Sequence, residues 1–216
     1  MYIQFYTEEP SAEAAIRILA PAILGDAVDF DVQVFQGKTD LLVNLPARLR
    51  ALATWIPEDW RVVVLVDRDD DNCLALKQQL NRIALDAGLV LRNANVEGQP
   101  FQILNRIAVE ELEAWFFGDI EALRAVYPKL SATLGRRESY RNPDAILGGT
   151  WERLEHELQQ AGYHKGGLPK ITVARSVAQQ MEPSRNRSQS FQTFCRGLLK
   201  LIEVRPVVVA PEAADA

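Results

Sequence analysis

The sequence predicts an α/β fold in which a mostly parallel sheet is flanked by helices and followed by an all-helical C-terminal extension. Five consecutive apolar residues, 62–66, run into four carboxylates at positions 67 and 69–71, which is typical of an interior strand covered on both faces. Strand-like and helix-like segments alternate over residues 1–118, as they do in right-handed βαβ units. Only helical patterns follow Asp119.

The first elements are a short β-rich strand over 2–6 and a helix over about 12–24. Ser11 is predicted to cap that helix, and Pro21 is expected to end or kink it early. A second strand is predicted over 30–35.

Asp40 is predicted to cap the next helix, which extends to about Ala53 and carries a possible break at Pro46. The strand 61–66 follows, then a helix over about 71–87 that ends at a glycine. Two more strands are predicted, a short one over 89–91 and another within 101–109, and the later helices cover about 119–126, 149–161, 168–180 and 188–202.

These elements predict an α/β domain over 1–118, a helical extension packed on it over 119–204 and a flexible tail over 205–216. No apolar run approaches the roughly 18 residues of a membrane span, so we expect a cytoplasmic protein without membrane contact. Cys73 and Cys195 lack motif partners and are interpreted as packing residues in a reducing compartment.

Charge is unevenly distributed along the chain. Residues 1–130 hold 12 Lys and Arg against 20 Asp and Glu, whereas residues 131–201 hold 11 against 6. The first part therefore has a net charge of −8 and the second of +5. This distribution fits a metal site beside a phosphate-binding surface, and it equally fits two ordinary solvated faces.

Acidic residues follow three of the predicted strands, and carboxylates without His or Cys nearby favour Mg²⁺ or Mn²⁺. Asp67 ends a buried strand and should point into a cleft at the carboxyl edge of the sheet. Asp69 and Glu9 are candidates for the same site, whereas Glu8 could simply be exposed. Acids also favour helix starts, which is an alternative interpretation of positions 70, 71 and 110.

A glutamate just past strand one followed by Asp-x-Asp after strand three resembles the Toprim pattern of topoisomerases, bacterial primases and OLD-type nucleases. Here the pattern is Glu9-Pro10, with proline where Toprim proteins usually have glycine, and Asp67-Arg68-Asp69. The chain also resembles domain-of-unknown-function family 4276, a Toprim-like group often encoded beside ATPases. That resemblance involves residues 7–9, 65–69 and 111–119, and it would cover most of 1–200.

The resemblance implies that Asp67 and Asp69 hold the metal and that Glu9 is a general acid/base or outer metal ligand. It implies that Glu111 and Glu113 complete the metal site, although both could instead belong to a helix start above packed aromatic residues. Arg68 could neutralise the acidic run or bind a phosphate. Lys165, Lys170, Arg185 and Arg187 are candidates for binding substrate phosphates, the alternative being a solvated surface.

The sequence thus predicts a Mg²⁺- or Mn²⁺-dependent phosphoryl-transfer protein, with Glu9, Asp67 and Asp69 as catalytic residues and a nuclease acting on phosphodiester bonds as the leading hypothesis. The resemblance adds a phage-defence setting and an AAA- or ABC-type ATPase partner encoded nearby. The competing hypothesis is a non-catalytic subunit of an ATPase complex that binds a metal or a nucleotide. A purely structural role would leave the carboxylates apart in space.

Overall fold

The computed structural model describes residues 1–25, 28–92 and 100–203. Its four strands are β1 (Tyr2–Thr7), β2 (Asp29–Val34), β3 (Trp60–Asp67) and β4 (Ile103–Ala108). They form one parallel sheet in the order β2-β1-β3-β4. The predicted parallel α/β fold with a helical C-terminal segment is therefore confirmed.

Among the described residues, three α-helices alternate with the strands and five follow the last strand. They are α1 (Pro10–Leu24), α2 (Lys38–Ala53), α3 (Cys73–Asp86), α4 (Glu113–Gly118), α5 (Ile120–Val126), α6 (Thr150–Gln160), α7 (Lys170–Ala178) and α8 (Gln189–Glu203). None of the described helices is long and apolar enough to cross a membrane. The predicted tail, 205–216, lies outside the described residues.

The predicted helix starts were wrong by one to three residues. Helix α1 has Glu9 rather than Ser11 as its N-cap, because Pro10 is favoured at the first helical position. Helix α2 begins after Gly37, and the carboxylate of Asp40 accepts a hydrogen bond from the N–H of Gln36 at 2.9 Å. Helix α3 is capped by the side-chain amide of Asn72 rather than by one of the preceding acids.

Neither interior proline ends its helix. Pro21 lies inside α1 and Pro46 inside α2, since the buried leucines around each proline anchor the continuing helix to the core. The predicted strand over 89–91 was also wrong. Leu91 forms only an isolated bridge with Ile103.

Apolar clusters cover both faces of the sheet, which explains why residues 62–66 are uniformly apolar. Val63 and Leu65 face a cluster formed with α1 and the C-terminal helices, whereas Val62, Val64 and Val66 face α2 and α3. Asp67 continues the alternation that begins with Val63 and Leu65. Its side chain therefore lies on the face covered by α1 and α4.

The C-terminal helices share the first of these clusters with the sheet. Trp115 of α4 lies 5.1 Å from Phe191 and 5.0 Å from Phe194 of α8, measured between ring centroids. Its indole N–H donates to Ser190 Oγ at 2.9 Å. The proposed boundary at residue 118 thus crosses a continuous core, and the division into two units stays a prediction.

Candidate functional site

The acidic residues singled out in the sequence converge at one edge of the sheet. Strands β1 and β3 are neighbours, with Thr7 in register with Leu65, and Asp67 is in register with Ala108 of β4. Because the three strands are parallel, the segments that follow them all leave at the same edge. This edge is where open α/β sheets bind ligands.

Glu8 is one of the buried acids at this edge, with 4% of its surface exposed, and the expectation that it could be exposed was wrong. Its Oε1 accepts a short hydrogen bond from the backbone N–H of Asp67, which joins the ends of β1 and β3. Burial raises the pKa of Glu8 to about 7, although the Asp67 N–H and the ammonium of Lys38 oppose the shift.

Asp67 lies at the centre of the group. Desolvation raises its pKa well above the ordinary value, and the neighbouring carboxylates of Glu8, Glu113, Asp69 and Glu9 raise it further. We refer to these five residues as the acidic cluster. They come from three separate segments of the chain, so the cluster exists only in the folded protein.

Glu113 is the first residue of α4 and is 3% exposed. Burial raises its pKa to about 7, Lys170 opposes the shift, and Glu111 and Glu9 add to it. Lys170, the first residue of α7, has its ammonium 3.9 Å from Glu9 Oε2 and 4.7 Å from the ring centroid of Trp151. Of the predicted phosphate-binding residues, Lys170 is thus beside the acidic cluster.

Lys38 also contacts the cluster, although no sequence pattern singles it out. Its ammonium lies 2.7 Å from Asp69 Oδ2 and 2.9 Å from Asp71 Oδ2, and it donates to the carbonyl of Arg68 at 3.0 Å. Asp69 has a positive φ of 47°, an uncommon conformation for a residue with a side chain. Lys38 therefore neutralises part of the acidic run from the far side of the sheet.

Arg68 lies within the acidic run, as its position predicts. Its Nη2 is 2.6 Å from Glu110 Oε1, and its Nε donates to the carbonyl of Asp69 at 3.1 Å. This pair links the loop after β3 to the loop after β4. The acid at position 110 is therefore an ion-pair partner rather than a helix cap.

Glu111 has a structural contact of its own. One of its carboxylate oxygens accepts hydrogen bonds from Thr150 N at 2.7 Å, Thr150 Oγ1 at 2.9 Å and Trp151 N at 3.0 Å. These are donors at the N-terminus of α6, so Glu111 caps that helix from a distance. Of the two acids predicted after β4, Glu113 belongs to the acidic cluster and Glu111 lies beside it.

The remaining predicted phosphate ligands lie on other parts of the helical segment. Arg185 forms a two-pronged ion pair with Asp119, at 2.8 and 2.9 Å, in which the buried carboxylate also caps α5. Arg187 Nη1 donates to the carbonyl of Gly135 at 3.5 Å, and Lys165 is exposed in the turn before α7. None of these contacts joins Arg185, Arg187 or Lys165 to the acidic cluster.

The described residues contain no group of three or more His, Cys, Asp or Glu side chains arranged to hold one metal ion. The cluster instead offers two buried glutamates, Glu8 and Glu113, whose charges interact with that of Asp67, while Glu9 and Asp69 are more exposed. Lys38 and Lys170 flank the cluster. Adjacent carboxylates of this kind are tolerated only when protons, a cation or basic side chains offset their charge.

No curated protein and no solved structure matches this chain. A family profile described as Domain of unknown function (DUF4276) matches residues 7–199, which is most of the sequence. The matched region includes every member of the acidic cluster and seven of the eight helices in full. This protein therefore belongs to the DUF4276 family.

Proposed function

We propose that this protein is a Mg²⁺- or Mn²⁺-dependent phosphoryl-transfer enzyme that hydrolyses phosphodiester bonds in nucleic acid. The observation that supports the proposal is the convergence of Glu8, Asp67 and Glu113 at the carboxyl edge of the sheet, with the pKa of each raised by burial and mutual repulsion. Perturbed carboxylates gathered in this way are typical of catalytic and metal-binding sites.

The donor set fits a hard divalent cation. Mg²⁺ is usually held by one or two carboxylates, with water and substrate phosphate oxygens completing its shell, so three preformed protein ligands are not required. Asp67 would be the central ligand. The charges of Asp69, Glu113 and Glu8, which interact with that of Asp67, would also interact with the ion, as would the charge of the more exposed Glu9. The ion would supply charge stabilisation at the phosphoryl oxygens.

The side chains of the protein would supply binding and proton transfer. Lys170 would bind non-bridging phosphate oxygens. Lys38, whose ammonium already contacts Asp69, Asp71 and the carbonyl of Arg68, would offset the charge of the acids. The Glu9 side chain is 41% exposed, so a carboxylate oxygen of Glu9 can accept a proton from the attacking water. Arg68, already paired with Glu110, would hold the two loops in place.

Nucleic acid is the proposed substrate because residues 131–201 carry a net charge of +5, as a surface that binds phosphate backbones does. The resemblance to Toprim proteins supports the same reaction. The resemblance to the DUF4276 family supports an AAA- or ABC-type ATPase as partner and a role in phage defence. The ATPase partner and the role in phage defence are therefore part of the proposal.

The second candidate function is a non-catalytic subunit of an ATPase complex that binds a metal or a nucleotide. The observation that favours it is that Lys38 already occupies Asp69 and Asp71, at 2.7 and 2.9 Å. Two of the acids are thereby offset without a metal ion. An ion held by the remaining carboxylates could then be structural.

The test is cleavage of labelled single- and double-stranded DNA and RNA with Mg²⁺ or Mn²⁺. Asp67→Asn and Glu113→Gln keep the shape of each side chain and remove its charge, and Asp86→Asn is the matched control because Asp86 is exposed at the end of α3. We expect cleavage by the wild type and the control, and its loss in the two cluster variants.

Thermal unfolding with and without metal separates the two candidates. A metal-dependent rise in melting temperature without cleavage of any substrate would favour the non-catalytic subunit. If the protein shows neither cleavage nor a metal-dependent rise in melting temperature, both the nuclease and a metal-binding subunit are overturned.

A further inference from the structure

A cavity of about 420 Å³ lies between α3, β4 and α8, beside the edge strand of the sheet. It is separate from the acidic cluster, because none of the five cluster residues lines it. Its volume is within the range of about 300–1,000 Å³ typical of small-molecule sites. Its lining includes Leu74, Lys77, Asn105, Arg106, Ile107 and Asn142.

Two cations meet in this cavity. Lys77 Nζ and Arg106 Nη1 both donate to the backbone carbonyl of Asn105, the latter at 3.0 Å. Within the described part of the chain, neither forms an ion pair with a carboxylate. Two like charges drawn together away from water are unfavourable, so the pair indicates that an anion belongs there.

The one acid that lines the cavity does not offset these cations. Asp144 accepts hydrogen bonds from Ser188 Oγ at 2.7 Å and from Ser190 Oγ and Ser190 N at 3.0 Å each. Burial, reinforced by neighbouring cations, lowers the pKa of Lys77 to about 8 and of Arg106 to about 10. The lowered values express the same lack of a counter-charge.

Asn105 provides a second, independent indication of a ligand. The residue is 1% exposed, and its Nδ2 donates to Asn81 Oδ1 at 3.0 Å. Its Oδ1 is buried and has no hydrogen-bond partner within the described residues. Buried acceptors are rarely left unpaired, so a ligand with an N–H or O–H donor would complete this amide.

We infer that this cavity binds a nucleotide, with its phosphate on Lys77 and Arg106 and its base between the apolar walls and the side-chain amides. Lys and Arg suit phosphate. Leu74, Ile107 and Val109 provide apolar surface for an aromatic ring. The exposed side-chain amides of Asn142 and Gln189, which also line the cavity, can hydrogen-bond a base. The inference goes beyond the proposed nuclease, because this site lies outside the acidic cluster and binding there needs no metal.

The test uses the full-length protein in EDTA, with adenosine 5′-monophosphate and inorganic phosphate as probes in calorimetric titrations. We expect the nucleotide to bind at least about tenfold more tightly than phosphate, because only the nucleotide fills the apolar part of the cavity. We expect Lys77→Met and Arg106→Gln each to weaken nucleotide binding by at least about tenfold, since each removes a charge-assisted hydrogen bond. Arg82→Gln, at an exposed position of α3, the helix that carries Lys77, should leave binding unchanged.

Gly197→Ala tests the role of Arg106 in a second way. A methyl group at Gly197 would lie 2.7 Å from Arg106 Nε and would displace the guanidinium without removing it. Circular dichroism confirms that each variant is folded before titration, and this variant replaces Arg106→Gln if that one unfolds. Weakened nucleotide binding in Gly197→Ala supports the site.

Asp67→Asn separates this inference from the proposed nuclease function, because it should abolish cleavage and leave metal-free nucleotide binding intact. The inference is overturned if the wild type binds no nucleotide, or if phosphate binds equally well. Unchanged binding in the folded Lys77 and Arg106 variants would also overturn it, as would loss of binding in Asp67→Asn.

Discussion

Burial of single carboxylates dominates the electrostatics of the acidic cluster. Glu8 and Glu113 are 4% and 3% exposed, and desolvation is the largest cause of the raised pKa of each. Lys38 and Lys170 oppose these shifts without cancelling them. The two glutamates therefore titrate close to neutral pH, where a small change in conditions changes their charge.

This titration predicts a fall in the stability of the metal-free protein as pH rises. The folded-state pKa of Glu8 and Glu113 is about 7, against an ordinary value of 4.5, so the folded protein binds more protons than the unfolded chain between these values. The free energy of unfolding should decrease from about pH 4.5 through 7 and level off above, by roughly 3 kcal/mol for one isolated group. Urea unfolding at several pH values measures this decrease in the free energy of unfolding.

The Glu113→Gln variant isolates one of these groups. Its pH profile should be flatter than that of the wild type over the same window, because the variant has no proton to lose there. Glu58→Gln, at an exposed position, should follow the wild type. Parallel profiles for the wild type and Glu113→Gln would show that Glu113 titrates normally.

The sequence was informative about Asp67 and much less about its neighbours, for a geometric reason. Asp67 ends an apolar run that is typical of an interior strand, so its position at the sheet edge could be predicted from local sequence. The choice between Glu8 and Glu9 depends on which residue turns inward as β1 ends. Lys38 reaches Asp69 across 31 positions of sequence, through the packing of α2 on the sheet, and no local pattern indicates that contact.

The helices and strands show the same difference between features fixed by local sequence and features fixed by distant contacts. Most strand and helix positions followed from apolar periodicity, although the strand predicted over 89–91 did not form. The caps depended on competing residues up to three positions apart. Helix α6 illustrates the limit, because its N-cap residue Gly149 has no side chain to supply an acceptor. The acceptor is Glu111, which comes from the loop after β4, 39 residues earlier in the chain.

We therefore expect Glu111→Ala to lower stability without abolishing metal binding or cleavage. Loss of the carboxylate leaves three donors at the start of α6 without their acceptor, which should cost about 1–2 kcal/mol. Glu58→Ala, at an exposed position in the turn before β3, is the control and should change stability by less than about 0.5 kcal/mol. If Glu111→Ala instead abolished cleavage in a fully folded protein, Glu111 would belong to the metal site as first predicted.

At the scale of the whole molecule, the sheet carries one apolar cluster on each face. Leu45 of α2 belongs to the cluster on one face, and Phe194 of α8 to the cluster on the other. Sequence patterns could suggest a boundary near residue 118, because the periodicity changes there. They could not show that the later helices complete the core begun by α1 and β1.

This shared core predicts that the protein unfolds in a single cooperative transition. Phe194→Ala and Leu45→Ala each create a cavity in one of the two clusters, and each should lower the free energy of unfolding by about 2–5 kcal/mol. Tryptophan fluorescence and far-ultraviolet circular dichroism should give superimposable urea curves for the wild type and both variants, with the same slope and lower midpoints for the variants. Leu199→Ala and Val43→Ala, exposed positions on the same two helices, should shift the midpoint little. Two separated transitions, with Phe194→Ala affecting only one of them, would show that residues 119–203 fold as an independent unit.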